Sequence, residues 1–269
     1  MYPYLKLSYL QDHDILINNI YNNYNHDYYL TDDWSPEMYN ALAYVGFISV
    51  SVKDQTGAHY LMPEMQFSYV VLHWKNLHIS KQLRKFIAKN LFHDQYYISL
   101  NQELAPIFEG VSRYHGARNW LTERYLNLLN ALIPDPDMPT SMATHIKPVA
   151  VGLWHHDQLI GGEIGYLTGG IYTSLTGFFD RENYSNFGKI QLIGLALLLK
   201  KFGYTCWNLG HPYMVYKFEM GGLEYERENF LRLWLTYRND KITANILGQR
   251  IECQALFQEI IKPNRPVRQ

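Results

Sequence analysis

The sequence predicts a mixed α+β protein. Apolar residues recur at helical spacing in some segments, alternate like strands in others, and the segments are separated by turns rich in glycine, proline and aspartate. Of the 269 residues, 47% are hydrophobic, which is enough for a sizeable buried core. Cys206 and Cys253 have neither disulfide-framework nor zinc-ligand spacing, so we expect the protein to fold without covalent or metal staples.

Residues 1–75 are predicted to form a small N-terminal α+β domain. Ser35 takes the cap position and Pro36 the first helical position, so a helix is expected from there to about Tyr44. The elements expected next are a strand at 47–52, a turn at 54–57 and a return strand from 59 to 62.

A second helix is predicted after Ser80, which can cap it. One face of this helix is apolar and the other is basic. The apolar residues are Leu83, Phe86, Ile87 and Leu91, and the basic residues are Lys81, Arg84, Lys85 and Lys89. A third helix is expected at 119–132, followed by a proline-rich loop at 134–139 that cannot continue it.

The rest of residues 76–269 is predicted to form a second domain. Strands at 149–154, 159–166 and 171–179 make an antiparallel meander, a helix at 187–201 crosses over, and a strand at 204–209 follows. This order is typical of the acetyltransferase-like (GNAT-type) acyltransferase fold. His155 and His156 fall in the first hairpin turn without metal-ligand spacing, so no metal site is predicted.

Bulk properties narrow the possible partners. The formal net charge of −1 means that any RNA partner must be held by a local basic patch. The N-terminus has no charged start followed by an apolar stretch, and the longest apolar run, 192–199, is too short to span a bilayer. We therefore expect a cytoplasmic protein with no membrane partner.

Short motifs along the chain resemble those of the leucyl/phenylalanyl-tRNA-protein transferase family, and they occur in the same order. The main ones are Asp33-Trp34-Ser35-Pro36, Leu77-His78-Ile79-Ser80 with the basic helix after it, Asn119-Trp120-Leu121-Thr122, Leu159-Ile160-Gly161-Gly162, Phe179-Asp180-Arg181-Glu182-Asn183, and Gly221-Gly222-Leu223-Glu224 up to Arg227. The resemblance implies transfer of leucine or phenylalanine from charged tRNA to the N-terminal α-amine of an acceptor protein. It implies aminoacyl-tRNA as co-substrate and no metal or other cofactor.

The resemblance also implies roles for particular residues. The basic set Lys81, Arg84, Lys85 and Lys89 would hold tRNA phosphates, although a solvated basic face is an alternative. Trp120 would stack on the terminal adenosine, or else belong to the core. Thr176, Phe178 and Phe179 would line the pocket for the transferred side chain, and Trp207 would also contact the substrate.

Several positions depart from the family pattern, and positions 208 and 163 matter most for the chemistry. Asn208 stands where the family has an aspartate credited with orienting or deprotonating the amine; an amide can position the amine but cannot take its proton. His211 is a candidate substitute base. Glu163 replaces a pocket methionine and is either a displaced base, a recognition group for a polar aminoacyl side chain, or a glutamate on the solvent face of its strand.

Two other functions remain open from the sequence. The chain could be a noncatalytic homologue that binds tRNA or N-terminal degradation signals. It could also be an acyltransferase with another donor such as acyl-CoA, although residues 186–190 offer one glycine at the wrong spacing for a pyrophosphate loop.

Overall fold

The computed structural model describes residues 2–134 and 144–261. Its helices are α1 (Leu7–Gln11), α2 (His13–Ile15), α3 (Pro36–Tyr44), α4 (Lys81–Asn90), α5 (Ala105–His115), α6 (Glu123–Asn130), α7 (Phe187–Lys201), α8 (Val215–Glu219), α9 (Arg227–Tyr237) and α10 (Cys253–Ile261). A π-helical segment at Leu16–Tyr21 and 3-10 turns at Trp74–Asn76 and Gly116–Arg118 lie between them. No helix in these two ranges is long and apolar enough to cross a membrane.

The strands form one large sheet and one small one. They are β1 (Ile48–Lys53), β2 (His59–Glu64), β3 (Ser68–His73), β4 (Tyr96–Asn101), β5 (Lys147–His155), β6 (Gln158–Thr168), β7 (Ile171–Phe179), β8 (Cys206–Gly210), β9 (Leu223–Glu226) and β10 (Gln249–Glu252). The eight-stranded sheet has the order β10-β4-β5-β6-β7-β8-β3-β9, and β1 pairs with β2 separately. The structure is therefore a mixed helix and strand protein with one large mixed sheet, and to that extent the predicted α+β class is confirmed.

Helices cover both faces of the large sheet. One face, called here the α7 face, packs against α4, α7 and α10 and includes Tyr172, Trp207 and Leu209. The other, called the α5 face, packs against α3, α5, α6 and α9 and includes Cys206 and Ile164. Because successive side chains of a strand point to opposite faces, these two cores fix the direction in which each side chain of β8 points.

The meander and crossover predicted from the sequence are confirmed. Strands β5, β6 and β7 pair antiparallel in order, α7 follows, and β8 pairs parallel with β7. Only the first part of β7 pairs with β8, from Ile171↔Cys206 to Thr173↔Asn208. Asn208 is thus the last residue of β8 that pairs with β7, and the end of β8 at Gly210 pairs only with β3 among the described strands.

Three local features differ from the predictions. The third helix begins at Glu123, not at 119, because Asn119 Oδ1 accepts the Leu121 amide and Thr122 Oγ1 then caps the helix through the Tyr125 amide. The proline-rich loop lies outside the described residues except for Pro134. Strand β3, inside the predicted 1–75 unit, pairs with β8 and β9 of the large sheet, and a domain division at residue 75 stays a prediction.

Candidate active site at the end of strand β8

Asn208 lies at the point where β7 and β8 separate. Its side chain is 1% exposed, and its Oδ1 accepts a 3.0 Å hydrogen bond from the Gly210 amide. Because the Gly210 backbone N–H is a donor, the side-chain atom of Asn208 that faces it must be the oxygen. The Nδ2 group is buried and has no hydrogen-bond partner among the described residues. An unpaired buried donor costs about 1–3 kcal/mol, so this N–H is suited to a ligand acceptor.

His211, three residues after Asn208, is held by a buried carboxylate. Its Nε2 lies 2.7 Å from Oε2 of Glu64, and the two side chains are 28% and 8% exposed. Gln66 Nε2 also donates to Glu64 Oε2 at 3.3 Å. The Tyr28 hydroxyl is a further neighbour of Glu64: burial, and then the charge of Glu64 and the hydrogen bond to it, raise the pKa of Tyr28. Since a carboxylate only accepts, it selects the tautomer with the proton on Nε2, in which Nδ1 of His211 carries a lone pair.

Lys217 holds the backbone between Leu209 and His211 by hydrogen bonds. The side chain is buried, and Nζ donates to the carbonyl oxygens of Leu209 at 2.5 Å and His211 at 2.6 Å. Burial lowers the pKa of Lys217 to about 8. Gly210, between the two carbonyls, has φ of +70°, which glycine adopts at little cost. Sequence reasoning missed Lys217 because one lysine in a short helix carries no distinctive pattern.

Glu163 lies on the other face of the sheet. Its Oε1 accepts hydrogen bonds from Tyr172 Oη at 2.6 Å and Ser174 Oγ at 2.8 Å, and Trp207 Nε1 donates to Ser174 Oγ at 2.8 Å. Tyr172 and Trp207 belong to the α7 face, whereas Asn208 alternates with Trp207 and points to the α5 face. The structure therefore does not bring Glu163 and Asn208 together.

The possibility that Glu163 lies on a solvent face is wrong. The side chain is 5% exposed, and burial raises the pKa of Glu163 to about 7, against hydrogen bonds from Tyr172 and Ser174 that lower it. A cavity of about 320 Å³ lies between α4, α7 and α8 and is lined in part by Tyr216. Burial, with a smaller effect of the Glu163 charge, raises the pKa of Tyr216 to about 12.

The raised pKa of Glu163 predicts a pH-dependent stability. The folded protein holds this proton more tightly than the unfolded chain, so the stabilisation is complete below pH 4.5 and is lost as pH rises through about 7. The loss should amount to about 3 kcal/mol. We expect Glu163→Gln to remove this dependence, and to be the more stable protein above pH 7, in urea unfolding at several pH values. Glu103→Gln, an exposed control, should keep the wild-type dependence of the free energy of unfolding on pH. The same dependence in all three proteins would contradict the prediction.

The two adjacent phenylalanines of β7 point in opposite directions. A Cβ on Gly110 of α5 would lie 2.2 Å from the Phe178 ring, and a Cβ on Gly188 of α7 would lie 2.9 Å from the Phe179 ring. Each ring therefore packs on a glycine of a different helix. At most one of them can line any single pocket, and Phe178 is the one on the face of Asn208. On that face Thr176 Oγ1 lies 3.4 Å from His115 Nε2.

The two predicted tryptophans differ in exposure. Trp207 has no exposed surface and its indole N–H donates to Ser174 Oγ, so the ring is part of the core, and its contact with the substrate stays a prediction. Trp120 is half-buried and packs edge-on against Tyr125 at 5.1 Å. Its backbone carbonyl accepts from Ser51 of β1. Adenosine stacking by Trp120 stays a prediction.

The basic face of α4 is exposed to solvent. Ser80 caps the helix through the Leu83 amide at 3.2 Å, as predicted. Lys81, Lys85 and Lys89 are exposed. Arg84 is exposed too, but its guanidinium donates to the carbonyl oxygens of Ile79 at 3.1 Å and Ile260 at 2.7 Å. Arg84 therefore joins α4 to α10, and the three lysines are the cations of this face best placed to bind a ligand.

Comparison with known proteins gives one family. A sequence model of the family described as leucyl/phenylalanyl-tRNA protein transferase matches residues 71–234, which contain the chain from α4 to β9. A leucyl/phenylalanyl-tRNA--protein transferase of Pectobacterium carotovorum subsp. carotovorum is 24% identical over 119 residues. That alignment covers 44% of this chain and 44% of the relative, so the match spans less than half of the relative's length.

Two solved structures are similar at a low level. The structure of L-PGS from Bacillus licheniformis gives a TM-score of 0.39 with 11% identity, over 68% of this chain and 52% of that chain. The C-terminal domain of a protein described as a putative lysylphosphatidylglycerol synthetase from Agrobacterium fabrum gives a TM-score of 0.40 with 11% identity, over 74% and 60%.

Proposed function

Because the chain belongs to the leucyl/phenylalanyl-tRNA protein transferase family, we propose that it moves an amino acid from charged tRNA to the N-terminal α-amine of an acceptor protein. The reaction would take place at the end of β8. The observation that carries the proposal is the His211–Glu64 pair, which offers a general base three positions after Asn208, where the sequence departs from the family aspartate.

The proposed reaction is an ester-to-amide exchange. The acceptor amine attacks the carbonyl carbon of the aminoacyl ester, and the ester oxygen of the ribose leaves. His211 Nδ1 takes one proton from the attacking amine and returns it to the leaving ribose oxygen, while Glu64 stabilises the imidazolium. The proton count is balanced and no redox partner is needed.

Asn208 takes a different part in this scheme from the one the sequence suggested. Its Oδ1 already accepts the Gly210 amide, and the atom without a partner is the donor Nδ2. A donor is suited to the developing oxyanion of the ester carbonyl, not to the amine. We therefore assign Asn208 to oxyanion stabilisation and His211 to proton transfer.

The lysines of α4 are proposed to hold tRNA phosphates. Replacing Lys81, Lys85 and Lys89 by glutamine should weaken tRNA binding and reduce the slope of log K against log salt by roughly 0.7–0.9 for each phosphate that is no longer neutralised. Filter binding over a salt series measures both quantities. The control replaces Lys200 and Lys201, two exposed cations at the end of α7, by glutamine and should leave the slope unchanged. A similar effect per lysine in both variants would indicate a diffuse charge effect and contradict the assignment.

The proposed function is tested by single-turnover transfer. A total aminoacyl-tRNA pool, labelled across all amino acids, is mixed with peptides that begin with Arg, Lys, Asp or Glu, and the product is sequenced. Transfer would establish the activity and both substrates together. No transfer with any pair, alongside intact tRNA binding, would contradict the proposal and favour a noncatalytic tRNA- or N-degron-binding homologue.

The proposal includes a division of the chain into two parts. We propose a small N-terminal unit at 1–75, which contributes β3 to the large sheet, and a GNAT-type domain at 76–269, which the meander, crossover helix and parallel strand support. Aminoacyl-tRNA as the donor is consistent with a cytoplasmic site of action and with no cofactor in the transfer step.

A further inference from the structure

Two adjacent histidines at the tip of the β5–β6 hairpin face one carboxylate. His155 Nε2 lies 2.7 Å from Asp94 Oδ2, and His156 Nε2 lies 2.9 Å from Asp94 Oδ1. One ligand atom from each of the three residues lies within 4.8 Å of the other two. In the ranges 2–134 and 144–261, this is the one place where three such groups converge in this way.

We propose that Asp94, His155 and His156 bind a divalent transition-metal ion, with zinc as the best-fitting metal. Two imidazole nitrogens and one carboxylate oxygen are the donors that zinc takes, and a water molecule can complete a tetrahedral set. On binding, each Nε2 would give up its proton, to the Nδ1 of the same ring by a change of tautomer or to solvent, and turn its lone pair to the ion. Both cysteines are buried elsewhere, so thiolates do not compete for the ion.

The ring of His155 is held in place by contacts on the side away from Asp94, an arrangement typical of metal-binding histidines. Its Nδ1 lies 2.8 Å from the hydroxyl of Tyr184, and its ring stacks on Tyr96 with centroids 4.5 Å apart. A hydrogen bond at the second ring nitrogen holds the ring orientation, and the Tyr184 hydroxyl can accept from Nδ1–H when Nε2 gives its lone pair to an ion. The Nε2 of His155 is thereby aimed at Asp94 before any ion arrives.

His156 gives the site access to solvent. The side chains of His156 and Asp94 are 57% and 40% exposed. The backbone of His156 is held by two hydrogen bonds: its amide donates to Gln95 O at 2.9 Å, and its carbonyl accepts from Arg250 at 2.8 Å. Its φ of +50° is a conformation in which Asn and His are enriched over other non-glycine residues.

The ion would act as a clip between three segments. Asp94 precedes β4, the histidines close the β5–β6 hairpin, and Tyr184 belongs to the loop that leads from β7 into α7. Spacing along the sequence could not indicate the site, because Asp94 is 61 residues from His155. This inference does not depend on the proposed transferase activity.

The test is metal titration of tag-free protein freed of metal with EDTA. We expect one Zn²⁺ per chain by isothermal titration, a rise of roughly 5 °C in Tm at saturating Zn²⁺, and the visible absorption of tetrahedral Co²⁺ on substitution. Asp94→Asn and His156→Asn should lower the affinity at least about 100-fold, and Tyr184→Phe about 10- to 100-fold. The exposed His13→Asn should bind as the wild type does.

His156→Asn keeps the test decisive, because asparagine accepts a positive φ and removes only the imidazole. Its Tm in EDTA should be close to that of the wild-type protein in EDTA, because the lost contact between His156 and Asp94 is exposed to solvent. Binding that is absent from the wild type, or that is as strong in His156→Asn and Asp94→Asn as in the wild type, would overturn the proposal.

Discussion

Replacing His211 by glutamine should lower the rate of aminoacyl transfer about 100- to 10,000-fold, the range over which a positioned general base acts. Glutamine can still approach Glu64 with its amide, but it has no lone pair basic enough to take the proton of the attacking amine. The KM for charged tRNA should change little, since His211 would act only on the reacting amine. Single-turnover rates at saturating charged tRNA measure the effect.

Two controls distinguish catalysis from folding. Glu64→Gln keeps an oxygen acceptor for His211 Nε2 but loses the charge that stabilises the imidazolium, so it should lose part of the rate and retain tRNA binding. His13→Gln, an exposed histidine outside the site, should transfer at the wild-type rate. A His211→Gln variant that transfers as fast as the wild type would refute the assignment of the base.

Replacing Asn208 by aspartate should lower the rate about 100- to 1,000-fold, although it restores the residue that the family carries. Aspartate keeps an acceptor for the Gly210 amide, so the end of β8 is preserved. It loses the Nδ2 donor and brings a negative charge next to the developing oxyanion. The measurement is the same single-turnover transfer, with stability followed by thermal unfolding.

The direction of this effect separates two mechanisms. If position 208 orients or deprotonates the amine, aspartate should raise the rate; if it stabilises the oxyanion, Asn208→Asp and Asn208→Ala should both be slow. A faster Asn208→Asp variant would therefore show that the base belongs at position 208 and not at His211.

Local sequence patterns predicted the central elements well. β7 and α7 have the predicted bounds, and Ser35 and Ser80 cap α3 and α4 through the Met38 and Leu83 amides. Helix α5 was not predicted: its cap position is Leu104, which has no capping side chain, and Gly110 lies inside it. Glycine there lowers helix propensity, but the Phe178 ring occupies the space that a larger residue would need.

The sequence by itself determined the family, the order of helices and strands, and the candidates Asn208 and His211, because caps, alternation and short motifs are local properties. Only the tertiary structure decided which candidates share a site. It placed Glu163 and Trp207 on the α7 face, paired His211 with Glu64 of β2, and brought Asp94 to the β5–β6 hairpin. The physical reason is that these contacts join side chains far apart in the chain. They depend on the strand pairing and on which face each helix covers, and neither is recorded in the spacing of nearby residues.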